Sequence, residues 1–450
     1  MPSGSPAPTA AIESWGRIPT VRQVPTGLEW RDQVFPAIPP ELSVLPHGLG
    51  RSYGDSCLND GNALLLTRRL DRFISFDRVT GLLRCEAGVT LAEILRLVVP
   101  QGWFLPVTPG TKFVTVGGAI ANDVHGKNHH WAGTFGRHVT AFELIRSDGT
   151  RRVCTPAQHP EWYGATIGGL GLTGLITWAE VQLRPIANPF IECETVKFGN
   201  LGEFFTLDED SAADFECTMS WVDCTSRGRS LGRGHYMRGN HASPQLTSSP
   251  TLKFGRSLPV PFDAPAFALS TPVVKAFNFA YYHRQLRRAK RSVMRFDPFF
   301  YPLDMMHNWN RIYGRRGFFQ YQFVVPHGES RAAVKEIFEI IAASGQASFL
   351  AVLKTFGAVQ SPGLLSFPRP GVTLALDFPN RGEKTLALFA QLDRIVESVD
   401  GAVYPAKDAR MSGESFRKFF PRWQQLALYV DPRFSSSFWR RVTAPASERT

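Results

Sequence analysis

The stretch VTVGGAIANDVHGKNHH, residues 114–130, holds the residues whose types and spacing most directly suggest chemistry. One acid, Asp123, and three histidines, His125, His129 and His130, follow a pair of glycines. Histidine and aspartate side chains bind metals and move protons, so the stretch could form a metal site or a catalytic cluster. The glycines permit a third interpretation, in which the backbone packs closely against a flat, polar ligand.

A metal site is the weakest of these interpretations. The residues before the histidines, GGAIAND, are too rich in glycine for a helix of the H-E-x-x-H type. Asp123 is the only acid nearby, and the six cysteines of the chain include no C-x-x-C pair. The chain also has no G-x-S-x-G elbow, which argues against a serine hydrolase. We therefore predict no metal site.

A second glycine-rich stretch, GLGLTG at 169–174, satisfies the G-x-G-x-x-G dinucleotide fingerprint. That fingerprint requires a strand before it and a helix that begins at its last glycine. Here Gly174 is followed by LITWAEVQL, whose alternating β-branched and apolar residues predict a strand. The sequence therefore argues against a Rossmann-type site.

A cradle built from backbone is the interpretation that remains. PHGLGRSYGD (46–55) and PGTKFVTVGGAIANDVHG (109–126) are two turns rich in glycine, small residues and hydroxyl groups. Successive N–H groups in such turns form concave sites that bind anions without lysine. Either turn alone could be an ordinary hairpin loop. Both of them, with the GLGLTG turn, favour a large cofactor that carries phosphate.

The elements that must position these turns follow from the hydrophobic pattern. ALLLT, LLRCEAG and FELIRSDGT predict strands, and Asp148-Gly149 predicts a hairpin. TLAEILRLVVPQG predicts an amphipathic helix that ends at Gly102. Later, RAAVKEIFEIIAASG and SFRKFFPRWQQLALYV predict helices and GVTLALDFP predicts a buried strand. At 450 residues the chain is long enough for two or three domains.

Composition limits where the protein acts and what it binds. The first twenty residues do not resemble a leader peptide, and no apolar run is long enough to span a membrane, so we expect a cytoplasmic or peripheral membrane protein. The net charge of +11 calls for an anionic partner. Residues 254–302 combine aromatic stretches with HRQLRRAKR, which predicts a basic helix at an anionic membrane surface. No nucleic-acid-binding signature accompanies this charge, so we expect no nucleic acid.

Taken together, GLGRSYGD, PGTKFVTVGGAIANDVHGKNHH, GGLGLTG and VDPRFSSSFWRR resemble the FAD-binding domain of the vanillyl-alcohol-oxidase, or PCMH-type, flavoproteins. YPLDMMHNWNRIYG, GFFQYQFVVP, LSFPRPGVTLALDFP and YPAKDAR extend the resemblance over most of residues 41–440, towards the branch that oxidises polyprenylphosphoryl ribose. It implies an α+β fold with two domains. The FAD-binding domain would comprise residues 1–186 and 402–450, and an antiparallel-sheet substrate domain would comprise residues 187–401.

The resemblance also implies the site residues and a cofactor, FAD. The FAD is expected to be non-covalent, because GRSYGD offers no histidine where many relatives attach it. The catalytic residues implied are Lys407, His125 and Tyr53, with the general base left open, and the substrate-binding residues implied are Lys354, Gln320, Gln322, Trp221 and Tyr301. The FAD-binding residues implied are Pro46, His47, Gly48, Leu49, Gly50, Arg51, Ser52, Tyr53, Gly54, Asp55, Ser56, Gly110, Thr115, Val116, Gly117, Gly118, Asn122, Asp123, Val124, His125, Gly171, Gly174, Ile176 and Tyr404.

The reaction implied is hydride transfer from the 2′-carbon of a polyprenylphosphoryl-β-D-ribose to the flavin, giving a 2′-keto sugar. An NAD(P)H-dependent short-chain reductase would then complete epimerisation to the arabinose donor. Two alternatives stay open: a soluble aldonolactone or alditol oxidase of the same fold, and a non-catalytic protein that binds membrane surfaces. The sequence departs from the family pattern at Ala375, where mycobacterial-type enzymes carry a cysteine, and at Leu170, where asparagine is usual.

Overall fold

The structure, a computed structural model, describes residues 12–244 and 258–444. Residues 1–11, on which the leader-peptide expectation partly rests, lie outside this part of the chain. So do the first four residues of the predicted membrane-surface segment, 254–257, and the last six residues of the predicted FAD-binding domain, 445–450.

The strands lie mostly in two antiparallel sheets. In chain order they are β1 Val24–Gly27, β2 Val44–His47, β3 Ala63–Leu66, β4 Phe73–Phe76, β5 Leu82–Glu86, β6 Trp103–Phe104, β7 Val139–Ile145, β8 Arg151–Cys154, β9 Leu175–Gln182, β10 Arg184–Pro185, β11 Phe190–Phe198, β12 Cys217–Val222, β13 Gly234–His241, β14 Leu258–Pro259, β15 Ala289–Arg295, β16 Met306–His307, β17 Phe318–Val325, β18 Ala351–Phe356, β19 Gly371–Pro379 and β20 Ala402–Val403.

The helices alternate with these strands and pack on their faces. In chain order they are α1 Leu91–Val98, α2 Val116–Ala121, α3 His129–Ala132, α4 Pro160–Thr166, α5 Leu201–Ser211, α6 Thr271–His283, α7 Phe296–Phe300, α8 Ser330–Ala343, α9 Glu383–Ser398, α10 Gly413–Phe419, α11 Trp423–Ala427 and α12 Ser437–Thr443. Among the described residues, no helix is both long enough and apolar enough to cross a membrane.

The described first part of the chain forms a three-stranded and a five-stranded sheet, and β6 and β10 add a two-stranded one. β1, β3 and β2 make a parallel sheet, and β4, β5, β9, β7 and β8 make an antiparallel sheet in that order. The predicted hairpin is confirmed, since β7 pairs with β8 across Asp148-Gly149. The strand predicted after GLGLTG is confirmed as β9. A strand rather than a helix therefore follows this glycine turn. A Rossmann-type site requires a helix at this point, so the turn does not form one.

Local signals in the sequence fix α1. Thr90 caps its first turn by accepting from the N–H of Glu93, and the Glu93 carboxylate accepts from the N–H of Thr90. A short 3₁₀ turn follows the helix and ends at Gly102, whose φ of 80° suits glycine. The predicted helix and its glycine stop are confirmed.

The second part of the chain is built on one large antiparallel sheet. Its eight strands run in the order β15, β11, β13, β12, β18, β19, β17 and β20. Successive side chains of a strand point to opposite faces. In β17, Phe319 and Tyr321 pack against Phe389 of α9, and Gln320 and Gln322 point to the other face, towards a cavity. The sheet thus separates a helical core from the cavity, and the fold is α+β as predicted.

The C-terminal residues join both parts. β20 pairs with β17, so residues 402–403 belong to the large sheet although the sequence division assigns them to the FAD-binding domain. Further along, the N–H of Ser435 donates to the carbonyl of Val44 at 3.0 Å, and Arg441 pairs with Asp55. The end of the described chain therefore braces the loop at 46–56.

Two predicted helices differ from the observed elements. SFRKFFPRWQQLALYV is divided between α10 and α11, because Pro421 has no N–H to continue a helix. The basic helix predicted within 254–302 ends at His283. The basic residues that follow lie in a turn and on the edge strand β15, not on α6.

Candidate active site

A cavity of about 600 Å³ lies between the glycine-rich turns and the open face of the large sheet. Among the described residues that line it there are five cationic side chains and no aspartate or glutamate. Those five are Arg51, Lys127, Arg284, Lys354 and Lys407. A cavity with this imbalance is suited to anionic ligands.

The loop at 46–56 forms one wall with its backbone. Its N–H groups from Leu49 to Ser52 have no acceptor among the described residues, whereas the next one, of Tyr53, donates to the carbonyl of Ala406 at 2.9 Å. The hydroxyl of Ser56, which also lines the cavity, is buried and has no partner within the described chain. Four successive free amides and a free hydroxyl form a site for a phosphate or pyrophosphate.

Close contacts hold this loop in place. A Cβ on Gly54 would lie 1.8 Å from the backbone oxygen of Asp408, and one on Gly48 would lie 2.4 Å from the Thr115 hydroxyl. Arg441 forms ion pairs with Asp55 at 2.7 Å and with Asp408 at 3.0 Å. Glycine is required at these two positions because the neighbouring segments touch the loop backbone.

The second glycine-rich turn is organised differently. The first two N–H groups of α2, of Val116 and Gly117, donate to the carbonyls of Val89 and Ala87, each at 2.8 Å. The third, of Gly118, donates to the Thr115 hydroxyl. These amides are occupied by the protein itself, so the turn contributes a smooth backbone surface rather than an anion site.

The third turn, GGLGLTG, completes the backbone wall. Leu170 and Gly171 both line the cavity with left-handed backbone, at φ of 57° and 76°. A leucine in this region is strained, whereas asparagine, which the resemblance implies here, tolerates it. Ile176, in β9, lies beside this turn on the cavity wall.

Side chains of the large sheet form the opposite wall. Strand register places Gln322 opposite Ala375, Ala375 opposite Val352, and Val352 opposite Trp221. One pleat away, Lys354 projects from the same face as Val352. Polar side chains therefore occupy the β17 side of the wall. Ala375, where the resemblance implies cysteine, lies on the wall itself.

Lys407 lies where the two walls meet. Its Nζ is 3.7 Å from the centroid of the Tyr53 ring, and an electrostatic interaction links it to Asp377. Asp377 is fully buried in β19, where it accepts from Nε2 of Gln320 at 2.5 Å and from the Tyr313 hydroxyl at 3.4 Å. Burial lowers the pKa of Lys407 and raises the pKa of Asp377. The charge of each group partly offsets this effect on the other group.

His125 lies on the cavity wall beside these groups. Nε2 of Gln322 donates to its Nε2 at 3.1 Å, and its Nδ1 is buried without a partner among the described residues. Burial, with nearby Lys354 as the next cause, holds the pKa of His125 well below its ordinary value. His125 is therefore a neutral hydrogen-bonding group in this structure.

The other two histidines of the opening stretch lie away from the cavity. His130 Nε2 contacts the carbonyl of Phe215 at 2.9 Å, and the ring of His129 packs 4.5 Å from that of Phe356. Burial lowers the pKa of His129 to about 3. Within the described part of the chain, no three His, Cys, Asp or Glu residues are grouped as metal ligands.

Most of the residues expected from the resemblance meet in this cavity, and a few do not. Those that line it are Pro46, His47, Gly48, Leu49, Gly50, Arg51, Ser52, Tyr53, Ser56, Gly110, Thr115, Gly117, Gly118, Asn122, Val124, His125, Gly171, Gly174, Ile176, Trp221, Gln320, Gln322, Lys354, Tyr404 and Lys407. Those that do not line it are Gly54, Asp55, Val116, Asp123 and Tyr301.

The residues away from the cavity support its walls instead. Asp123 is fully buried and accepts from the N–H of Gly136 at 2.9 Å and from the hydroxyls of Ser361 and Ser366 at 2.5 Å. It thereby ties the second turn to the loop before β19. Tyr301, expected to bind substrate, instead bonds through its hydroxyl to that of Thr108 at 2.7 Å.

Two residues of the site are not identified from the sequence. Asp377 stands inside GVTLALDFP, where an acid in an otherwise apolar strand is the available signal. Lys127 lies within VHGKNHH, next to histidines that are the more obvious candidates. Its Nζ donates to the carbonyl of Phe299 and lines the cavity.

Comparison with known proteins agrees with this geometry. Residues 40–155 match the FAD binding domain family, which spans both glycine-rich turns. Decaprenylphosphoryl-beta-D-ribose oxidase of Mycolicibacterium smegmatis is 37% identical over 97% of this chain and 98% of that protein. An uncharacterized protein in the mprA 5′ region of Streptomyces coelicolor is 34% identical over 79% of this chain and 100% of its own length. A putative D-arabinono-1,4-lactone oxidase of Neurospora crassa is 30% identical over 26% of this chain and 21% of its own.

The free amides at 49–52, the unpartnered Ser56 hydroxyl and the acid-free lining fit an FAD pyrophosphate. The similarity to the mycobacterial oxidase extends beyond this domain to the sheet that carries Lys354 and the loop that carries Lys407. The chain therefore belongs to the family of FAD-binding oxidases that includes decaprenylphosphoryl-beta-D-ribose oxidase, and FAD is its cofactor.

Proposed function

We propose that this protein oxidises the 2′-hydroxyl of a polyprenylphosphoryl-β-D-ribose to the 2′-keto sugar, the first half of epimerisation to the arabinose donor. The observation that carries the proposal is the continuity of one acid-free cavity. It runs from the free amides of the loop at 46–56, past Lys407 and Lys354, to an apolar end at Trp221. A substrate with a sugar, a phosphate and a lipid chain requires these environments in that order.

The proposed FAD-binding set is the set of predicted residues that line the cavity, with FAD held non-covalently. The amides of Leu49 to Ser52 and the Ser56 hydroxyl would bind the pyrophosphate. Gly117, Gly118 and Tyr404 would lie along the rest of the cofactor. Gly54, Asp55 and Asp123 would act by holding the turns rather than by touching FAD.

The proposed chemistry divides between cofactor and protein. Bound FAD would supply a hydride acceptor for the carbon that bears the substrate hydroxyl. The protein must remove the hydroxyl proton, and Lys407 is the proposed base because burial lowers its pKa and favours its neutral amine. Asp377 would act on Lys407 through its negative charge, which raises the pKa of the amine. Gln320 orients Asp377 through the 2.5 Å hydrogen bond to its carboxyl group.

Neutral groups around Lys407 would orient the sugar. Gln322 and His125 are already joined by a hydrogen bond, and the unpartnered Nδ1 of His125 is free to bond a sugar hydroxyl. The Tyr53 ring, 3.7 Å from Nζ of Lys407, would stabilise the ammonium that forms when this amine takes the hydroxyl proton. These three groups bind and orient, while Lys407 moves the proton.

We propose the same domain division as the sequence suggested, with the FAD part before residue 187 and after β20. The contacts of Ser435 with Val44 and of Arg441 with Asp55 support the assignment of the C-terminal residues to that part. The keto sugar needs a separate reductant, and the proposed partner is an NAD(P)H-dependent short-chain reductase.

We also propose that α6 and the turn after it rest on an anionic membrane surface. Phe267, Phe279 and Leu286 are 73%, 58% and 92% exposed, which is unusual for large apolar side chains. Residues 264–296 include no acid. The basic side chains of this stretch are Lys275, Arg284, Arg287, Arg288, Lys290 and Arg291, of which Arg288 and Arg291 also pair with Glu203 and Glu194. Apolar and basic groups together favour the interface of anionic lipids. The enzyme would then act at the cytoplasmic membrane face.

Anaerobic flavin bleaching tests the substrate assignment. The yellow holoenzyme is mixed with a polyprenylphosphoryl ribose, and we expect loss of the flavin absorbance near 450 nm, a wavelength typical of flavins, to run roughly to completion. An aldonolactone and an alditol serve as the alternative substrates. Rapid bleaching by either of these, with none by the lipid-linked ribose, would contradict the proposal and favour the soluble oxidase.

Vesicle co-sedimentation tests the membrane proposal. Binding should rise with the anionic lipid fraction and fall about a hundredfold or more when Arg287, Arg288, Lys290 and Arg291 become Gln, since each contributes up to about 1 kcal/mol and two of them also pair with acids. The matched control changes Arg96, Lys335, Lys384 and Arg394, all exposed elsewhere, to Gln. The membrane proposal would be contradicted if both variants lost vesicle binding equally, or if binding did not depend on the fraction of anionic lipid.

A further inference from the structure

Two lysines of the cavity have no acidic partner. Lys127 donates to the carbonyl of Phe299, and Lys354 donates to the carbonyl of Gly126 at 3.0 Å. Neither forms an ion pair with any described residue, and both side chains are half-buried. Lysines withdrawn from water without a carboxylate are unfavourable unless a ligand supplies negative charge.

The fold brings these two ammonium groups to one place. Thr218 at the start of β12 donates its N–H to the carbonyl of Lys127 at 3.0 Å. The antiparallel register of β12 and β18, in which Ser220 faces Leu353, continues to put Met219 opposite Lys354. Lys354 in turn bonds to the residue before Lys127. Both lysines therefore lie beside the start of β12, close enough for the charge of Lys127 to act on Lys354.

Their electrostatics agree with a shared site. Burial lowers the pKa of Lys127 to about 8 and that of Lys354 to about 7, and the charge of Lys127 lowers the pKa of Lys354 further. A bound anion would favour the ammonium form of both lysines and so oppose these effects.

On one side of the lysines the wall is polar, and on the other side it is mostly aromatic and aliphatic, with His235 and Arg284 as polar members. Towards β17 lie Gln320, Gln322 and Lys407. Towards β11, strand register continues from Met219 to Met237 and from Trp221 to His235. Phe277 and Tyr281 of α6 and Phe299 also line this second side, the apolar end. The Tyr281 ring lies 4.5 Å from that of Trp221.

We propose that Lys127 and Lys354 bind the phosphodiester of the substrate, and that the apolar end between β12, β13 and α6 holds the first isoprene units of its lipid. This inference rests on the proposed function and deepens it. The sugar would extend from the lysines towards Lys407. The lipid would leave beneath α6, whose exposed aromatic side chains continue the apolar path.

Methionine suits a channel of this kind. Met219 and Met237 face each other across β12 and β13, and both line the cavity. Flexible thioether side chains adapt to an irregular chain of methyl-branched units. The channel would select for a prenyl chain by shape and apolarity, while the lysines select for its phosphate.

Calorimetric titration of the FAD-loaded protein tests both halves. The probes are geranylgeranyl phosphate, geranylgeraniol and inorganic phosphate. Lys127→Gln and Lys354→Gln should each weaken the binding of geranylgeranyl phosphate about tenfold, because a charged hydrogen bond is lost. The binding of geranylgeraniol, which has no phosphate, should weaken less than about twofold. Lys335→Gln, an exposed lysine of α8, is the matched control and should change nothing.

A methionine pair tests the apolar end. Met237→Gln keeps the size of the side chain but makes it polar. It should weaken the binding of geranylgeranyl phosphate about tenfold and leave the binding of inorganic phosphate unchanged. Met305→Gln, which is 49% exposed and does not line the cavity, is its control. Flavin content and melting temperature establish that each variant is folded.

Three results would overturn the inference. One is unchanged binding of geranylgeranyl phosphate in both lysine variants. Another is inorganic phosphate binding as tightly as the prenyl phosphate. The third is a tenfold loss in Arg284→Gln alone, which would move the anion site to the mouth beside Tyr281. If the lysine effects appear but no prenyl-linked ribose bleaches the flavin, the binding site stands and the proposed function fails.

Discussion

The two walls of the cavity differ in what they are made of. The wall from the glycine-rich turns offers backbone, with free amides from Leu49 to Ser52 and close packing at Gly54. The wall from the large sheet offers side chains, of which Gln322, Lys354 and Trp221 are examples. A backbone wall suits a cofactor that every turnover reuses, and a side-chain wall suits proton transfer and substrate choice. Substitutions in the two walls should therefore fail in different ways.

The backbone wall itself contains two turns that look alike in sequence. The amides of Leu49 to Ser52 have no acceptor in the described chain, whereas those of Val116 and Gly117 are taken by Val89 and Ala87. Glycine content alone does not distinguish an anion site from a packing surface. The difference lies in whether another segment supplies carbonyl groups to the turn.

Gly54→Ala should have the largest effect, a loss of FAD. The added Cβ would lie 1.8 Å from the backbone oxygen of Asp408, and neither backbone can move without shifting the amide-bearing loop. Overpacking of this kind costs about 1–3 kcal/mol of unfolding free energy. Flavin absorbance of the purified protein and its melting temperature measure both consequences. Gly27→Ala, where a Cβ meets nothing within 4 Å, is the control. If the Gly54→Ala protein retains its FAD and its melting temperature is unchanged, the backbone wall does not depend on this close contact and the proposed difference between the walls is wrong.

Lys407→Ala should keep FAD and lose turnover, because it removes the proposed base from the side-chain wall. We expect substrate-driven flavin reduction to slow by about 10²–10⁴-fold. Rapid-mixing absorbance measures the rate, and acid release of the flavin measures the cofactor. Lys335→Ala should match the parent protein. A slowing below about tenfold would remove Lys407 from the chemistry.

The pH dependence should show opposite trends for rate and affinity. Because Lys407 acts as a neutral amine, the limiting rate should rise with pH and level off well below 10.5, the ordinary pKa of lysine. Because Lys354 would bind the substrate phosphate when protonated, the affinity for substrate should fall as the pH rises through the Lys354 pKa of about 7. The charged or titratable neighbours of Lys407 are Asp377, Tyr53, Lys354 and His125.

Asp377→Asn sharpens this test. The negative charge of Asp377 raises the pKa of Lys407, so its removal should lower that pKa and move the rate profile towards lower pH. A tenfold weaker hold of Lys407 on its proton corresponds to about 1.36 kcal/mol and would move the midpoint by about one pH unit. Steady-state profiles of the limiting rate report the midpoint. A pH profile that does not move, or that moves to higher pH, would show that the charge of Asp377 does not raise the pKa of Lys407.

Ser56→Ala should have the smallest effect. Its buried hydroxyl lines the cavity without a partner in the described chain, and one hydrogen bond to the pyrophosphate contributes about 1 kcal/mol, or roughly fivefold in FAD affinity. Titration of the apoprotein with FAD measures it. Unchanged or tighter binding would show that this hydroxyl faces no ligand.

Much of the fold could be predicted because its signals are local. The capping pair of Thr90 and Glu93, the Asp148-Gly149 hairpin and the strand after Gly174 each depend on neighbours in sequence. The predicted membrane-surface helix was less exact, because the basic residues follow α6 rather than lie on it. Helical periodicity does not locate the last turn of an exposed helix, where packing contributes little.

The resemblance predicts most of the residues that line the candidate site. It does not predict which charged groups in the site act on each other. Asp377 and Lys407 are thirty residues apart in sequence and meet only through the sheet. Asp123, expected to touch FAD, is instead buried with the hydroxyls of Ser361 and Ser366. Long-range pairing of this kind has no local signature.

The sequence by itself determined the glycine turns, the alternation of the strands and the excess of basic residues. The tertiary structure decided which amides are free, because Val89 and Ala87 reach α2 while no described carbonyl reaches Leu49 to Ser52. It also decided that Lys127 and Lys354 share one place, through the pairing of β12 with β18 and the bond to Gly126. Hydrogen bonds and charges act over a few ångströms, so their partners are set by how distant segments pack and not by their order along the chain.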